Sequence, residues 1–196
     1  MTTPYTFVFI GRSGCGKGTQ AGLLMQKVAE KYPDEPVFYL ETGQKFRDFN
    51  SGEGYTHMLA KNIQDVGGLQ PAFLAVWMWS NILIEKMDDR EHMFIDGTPR
   101  KLGEAIIFTE AMKFYGRRPY VVYLNVSRKW SEDRLKERHR IDDITDSVKR
   151  RLDWFDTDVL PAVEYFRLNS DVCFLDINGE RSIQEIQDDI LAKVEL

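Results

Sequence analysis

A glycine-rich stretch, Gly11-Arg12-Ser13-Gly14-Cys15-Gly16-Lys17-Gly18-Thr19, follows a short apolar run and precedes helical periodicity from Gln20 to Lys31. Glycines let successive backbone N–H groups turn inward around an anion, and the helix N-terminus adds the positive end of its dipole. Lys17 then reaches the outer phosphate oxygens as a point charge. This chemistry suits the phosphates of a nucleotide. The spacing is that of GxxxxGK, but the eighth position is Gly18 where Ser or Thr is usual, and Thr19 comes one step later.

That departure carries information. A GxxGxGKGT loop resembles the nucleoside monophosphate kinases, adenylate kinases above all. The resemblance implies ATP bound by Gly14, Cys15, Gly16, Lys17, Gly18 and Thr19, with Mg²⁺ held mainly through waters and acidic residues. Further motifs occur in family order. Glu41-Thr42-Gly43-Gln44-Lys45-Phe46-Arg47 looks like the family's STGxxxR segment, although alone it would suit a capped, solvated helix. Phe94-Ile95-Asp96-Gly97-Thr98-Pro99-Arg100 is similar to its DGFPR segment. Asp96, at the end of an apolar strand, is placed to hold the waters of a Mg²⁺ ion, and Gly97 and Pro99 shape a turn that aims Arg100 at a phosphate. By resemblance, Thr42, Arg47, Gly97 and Arg100 bind the acceptor monophosphate, and Gly68-Leu69-Gln70 presents backbone to its base.

Arg134 and Arg138 are four residues apart, so one helix face carries both. Alone, the segment from Trp130 to Asp143 reads as a mixed-charge solvated helix. With the other motifs it resembles the family's RxxxR, RxDD and RL stretch. Arg138, Arg140 and Arg151 would then surround the phosphoryl group in flight and Arg134 would serve ATP. Arginine's planar fork suits the equatorial oxygens of a loose transition state. Arg181, in the turn Asn178-Gly179-Glu180-Arg181, is expected at the ATP base.

Two departures from the family pattern stand out. The family's lid joins the RxxxR and RxDD helices, but here only His139 separates Arg138 from Arg140. The expectation is a vestigial lid turn over 138–143, with a second subunit of a homo-oligomer covering the ATP site instead. The other departure is Glu104, where the family has a Gln that reads adenine by accepting from its amine and donating to N1. A carboxylate has no proton to donate and suits guanine, although Gln70 could supply the missing donor for adenine. The other reading of Glu104 is a tolerated surface substitution.

Positioning these groups requires strands that end where the motifs begin. β-rich runs at Tyr5–Ile10, Val37–Leu40, His92–Ile95, Tyr120–Asn125 and Val172–Leu175 alternate with helical segments, which predicts an α/β fold with a parallel sheet covered on both faces. The apolar stretch from Ala72 to Met87 predicts a helix buried on all sides, with Trp77 and Trp79 in the core. The resemblance implies a P-loop kinase of three α/β/α layers and five parallel strands. It is a single domain over 1–196, with a small helical NMP-binding insertion over 41–71 and the lid domain essentially absent.

At 196 residues the chain suits one domain, and its net charge of −5 offers no general attraction to nucleic acid or an anionic membrane. Cys15 and Cys173 are expected to be reduced thiols, with no structural zinc. No signal-peptide pattern or membrane-length apolar run is visible, so a cytoplasmic location is expected. The activity implied is reversible phosphoryl transfer from ATP to AMP, giving two ADP. The alternatives are a kinase for GMP or a pyrimidine monophosphate, and a catalytically weak nucleotide-binding regulator.

Overall fold

The computed structural model describes residues 4–138, 145–194 and 196. Along the chain run β1 (Thr6–Gly11), α1 (Lys17–Lys31), β2 (Val37–Glu41), α2 (Thr42–Asn50), α3 (Tyr55–Asp65), α4 (Ala72–Lys86), β3 (His92–Asp96) and α5 (Leu102–Phe114). There follow β4 (Tyr120–Asn125), α6 (Arg128–Arg138), α7 (Thr145–Trp154), a π-helical turn (Phe155–Val159), α8 (Leu160–Leu168), β5 (Cys173–Asn178) and α9 (Ile183–Val194). The strands form one parallel sheet in the order β2-β3-β1-β4-β5. β1 is central, so the loop that leaves it opens between the ends of β3 and β4, where ligands bind in sheets of this kind.

Alternate β1 side chains serve the two faces of the sheet. Val8 and Ile10 pack with Trp79, Leu83, Phe108 and Phe166 from α4, α5 and α8. Phe7 and Phe9 pack with Leu24, Val28, Ile186 and Ile190 from α1 and α9. Burial on both faces is why these strands read as apolar runs without polar alternation. β4 ends where expected, and the other four strands extend past their expected ends, most of all β5, which reaches Asn178 because each residue from Cys173 onward pairs with one of Tyr120–Asn125. That backbone pairing overrides the polar residues Asp176 and Asn178 in the segment.

Helix α4 corrects one expectation. Trp79 is 1% exposed in the core, but Trp77 is 47% exposed. Leu74, Ala75, Met78, Trp79 and Leu83 face inward, while Phe73, Trp77 and Ile84 share the opposite face. At 3.6 residues per turn a helix lying on one sheet buries only the side it turns to that sheet, however apolar the rest. The Trp77 ring lies 5.6 Å from that of Phe49 on α2.

His92, 1% exposed, starts β3 at the end of the sheet away from the glycine-rich loop. Its Nδ1 accepts the Tyr5 N–H at 3.0 Å, so the ring proton resides on Nε2, 2.9 Å from Glu35 Oε2. Burial pulls its pKa down from 6.5; Glu35 opposes this and Arg117 assists it. A protonated ring could no longer accept from Tyr5. Because the folded-state pKa lies below the unfolded one, the contribution is full above about pH 6.5 and is lost as pH falls through that value toward the folded pKa. The urea midpoint is therefore expected to drop between about pH 7 and pH 5.5. His92→Asn, whose amide oxygen can still accept from Tyr5, should flatten this slope. An equal slope in the variant would assign it to other groups.

Candidate active site

The loop after β1 wraps around its own lysine. Lys17 Nζ donates to the carbonyls of Gly11 at 2.9 Å and Arg12 at 3.0 Å, and lies 3.7 Å from Cys15 Sγ. Gly16, at φ 95°, is the N-cap of α1, a left-handed position that a side chain would strain. Cys15 is buried, and burial pushes its thiol up against the opposing charge of Lys17. The loop is braced from behind. Ser131 Oγ on α6 donates to the Ser13 carbonyl, and Arg12 Nη2 lies 2.5 Å from Asp156 Oδ1 in the π-helical turn. Arg128 of α6 binds the other Asp156 oxygen at 3.1 Å and Asp153 at 2.5 Å.

Beside this loop, β3 ends in Asp96, which is 8% exposed. Burial raises the Asp96 pKa, opposed by Lys17 and Arg100 and reinforced by Glu41. The phenol of Tyr39 hydrogen-bonds the same carboxylate, and Asp96 Oδ2 lies 3.6 Å from where a Cβ on Gly18 would stand. No group of three or more His, Cys, Asp or Glu able to cage a metal occurs among the described residues. Mg²⁺ shared with phosphates needs only one or two carboxylates and keeps its waters. An incompletely balanced buried carboxylate next to a phosphate-binding loop fits that requirement.

The turn after Asp96 contains a cis Thr98–Pro99 peptide and folds Arg100 back, so that its Nε donates to the Gly97 carbonyl at 2.7 Å. Thr42 Oγ1 donates to the Asp96 carbonyl at 3.1 Å, tying the start of α2 to this turn. Two clefts meet here. One is lined by Gly11, Ser13, Lys17, Trp154 and Val159, the other by Thr42, Phe46, Leu69, Gln70, Thr98 and Glu104; Gly97 and Arg100 line both. Burial lowers the Arg100 pKa, opposed by Glu104 and Asp96, with Arg151 adding like charge.

Glu104 is 1% exposed, which overturns the reading of a surface substitution. Its Oε2 accepts the Arg100 backbone N–H at 3.0 Å and lies 3.5 Å from Thr98 Oγ1. Burial pushes its pKa up against the opposing Arg100 and Lys101 interactions. The donor expected of Gln70 is committed elsewhere, because its Nε2 gives its hydrogen bond to the Ala60 carbonyl at 2.8 Å. Gln70 Oε1 is enclosed without a hydrogen-bond partner, a condition that costs about 1–3 kcal/mol until a donor reaches it.

The remaining arginines divide. Arg151, on α7, is close enough to Arg100 to act on its charge, and its Nε lies 3.4 Å from the Ser147 carbonyl. Arg47 is held by Glu41 at 3.0 Å and by Gln44, and Arg181 by Asp189 at 2.5 Å. Arg134 stacks on Trp130, 5.1 Å from the ring centroid. None of these three lines either cleft. Arg138 is the last residue of α6, and Arg140 lies outside the described residues, as does the expected lid turn beyond Arg138. Trp154 and Tyr39 are not singled out by the sequence, where an aromatic on a helix or strand looks like core and only the fold reveals what it faces.

The comparisons agree with this geometry. The adenylate kinase family model matches residues 9–171. An adenylate kinase of Corynebacterium diphtheriae is 30% identical over 181 residues, covering 91% of this chain and 93% of its own. One of Oenococcus oeni is 28% identical over 178 residues, covering 90% and 91%. A uridylate kinase of Saccharomyces cerevisiae is 27% identical over 188 residues, covering 92% and 86%. With a lysine-centred phosphate loop beside a second cleft, and that family's model matching most of its length, the chain belongs to the adenylate kinase family of nucleoside monophosphate kinases.

Proposed function

We propose that the protein transfers the γ-phosphoryl group of ATP reversibly to AMP, giving two ADP. The observation that carries this reading is the shared wall: Arg100 and Gly97 border both the Lys17 cleft and the cleft of Gln70 and Glu104. A donor phosphate chain in the first and an acceptor monophosphate in the second would meet at Arg100. An acceptor phosphate oxygen forms the new O–P bond while the bond from the β,γ-bridging oxygen to the γ-phosphorus breaks. No protein nucleophile is needed. Catalysis then rests on positioning and on positive charge from Lys17, Arg100 and Arg151 around the transferring group. Residues 41–71 serve as the acceptor-binding insertion in this reading. Asp96 would hold Mg²⁺ through water, and the ion would neutralise charge developing on the β- and γ-oxygens.

Adenine as the base is supported by the relatives named adenylate kinase and by the burial of Glu104. A carboxylic acid, unlike a carboxylate, can donate to adenine N1, and burial favours that form. Gln70 Oε1 suits the exocyclic amine. A second reading, a pyrimidine monophosphate as acceptor, is favoured by the uridylate kinase relative.

Two outcomes test these assignments. Lys17→Ala is expected to cut turnover at least about 100-fold with an unchanged fold by circular dichroism, as removal of one transition-state donor does. Equal turnover would remove Lys17 from the mechanism. Across AMP, GMP, CMP and UMP, AMP should give the highest kcat/KM. Its kcat/KM should fall as rising pH ionises Glu104, while Glu104→Gln, which keeps a donor at every pH, should remove that decline. Preference for another monophosphate would replace AMP as acceptor.

A further inference from the structure

The indole of Trp154 touches both halves of the acceptor site. Its Nε1 donates to the Gly67 carbonyl at 3.1 Å, and Arg100 stands over its ring with the guanidinium carbon 5.4 Å from the centroid. Gly67 ends the turn that leads into Gly68-Leu69-Gln70, and Leu69 and Gln70 line the acceptor cleft. The same helix makes further contacts with this turn. Arg150 Nη1 donates to the Val66 carbonyl at 3.1 Å. A Cβ on Gly67, which sits at φ +71°, would stand 2.7 Å from Ser147 Cβ, so α7 lies directly on the turn.

We propose that Trp154 is a positioning residue for the acceptor monophosphate, setting the base-side turn through Gly67 and the phosphate-side guanidinium through Arg100. Three observations support it. The ring also lines the Lys17 cleft, so it stands where the two clefts join. Arg100 needs such support, because it is half-buried beside the like charge of Arg151 and its Nε hydrogen bond to the Gly97 carbonyl anchors only one edge of the guanidinium. An aromatic face holds the guanidinium plane while leaving its outer N–H groups open to a phosphate. The Gly67 bond comes from a residue 87 positions later in sequence, so side chains of α7 tie that turn to the donor side of the site.

The proposal rests on the reading of Arg100 as an acceptor-phosphate group, and the experiment separates the two. Steady-state KM values for AMP and ATP are measured for Trp154→Leu, Trp154→Phe, Arg100→Lys and the double variant Arg100→Lys/Trp154→Leu, with thermal midpoints recorded for each. Trp154→Leu removes both contacts and is expected to raise KM for AMP about tenfold while KM for ATP changes less than about twofold. Trp154→Phe keeps a ring face, loses the N–H, and should fall between wild type and Trp154→Leu even where its thermal midpoint matches that of the leucine variant. The Leu substitution should add less in the Arg100→Lys background than alone. Unchanged KM for AMP in both Trp154 variants, or equal rises for AMP and ATP, overturns the proposal. If Arg100→Lys itself leaves KM for AMP unchanged, the reading of the acceptor site fails instead.

Discussion

A half-buried guanidinium in the wall between two clefts must be neutralised, braced and aimed at once, and Arg100 places that demand on everything around it. Its burial and the neighbouring Arg151 both work against the charge; Glu104 and Asp96 work for it. The cost of burying a lone charge explains why two carboxylates share this small volume. Each is itself pushed toward its neutral form by burial. The charge on Arg100 and the protonation of Glu104 and Asp96 are therefore linked.

That balance depends on the central strands. Glu41 and Asp96 end adjacent paired strands, and the glycine-rich loop leaves β1 beside them. Parallel register brings three carboxyl-terminal strand ends to one edge, so charges far apart in sequence lie side by side. The helices hold the arrangement from outside: α6 and the π-helical turn grip the glycine-rich loop through Ser131 and Asp156, the latter held by Arg128, and α7 grips the turn at Val66 and Gly67 through Arg150 and Trp154. α6 and α7 are joined by packing of Leu135 against Val148 and Leu152. Both clefts are thus tied to one pair of helices.

The sequence by itself determined the family, the order of elements and the phosphate loop, because these depend on local spacing: glycines before Lys17, an apolar run before Asp96, a turn before Arg100. Burial was legible where the strands are covered on both faces, and misread for Trp77, because an all-apolar helix gives no sign of which side meets the sheet. Only the tertiary structure decided what the polar residues of the cleft lined by Gln70 and Glu104 can donate or accept. Glu104 is buried and biased toward its acid form, and Gln70 has given its N–H₂ to Ala60. Trp154 shows the same limit. Its two partners, Gly67 and Arg100, come from separate loops, and a contact across such distances is set by packing and by desolvation of the charges it braces, which spacing along a chain does not encode.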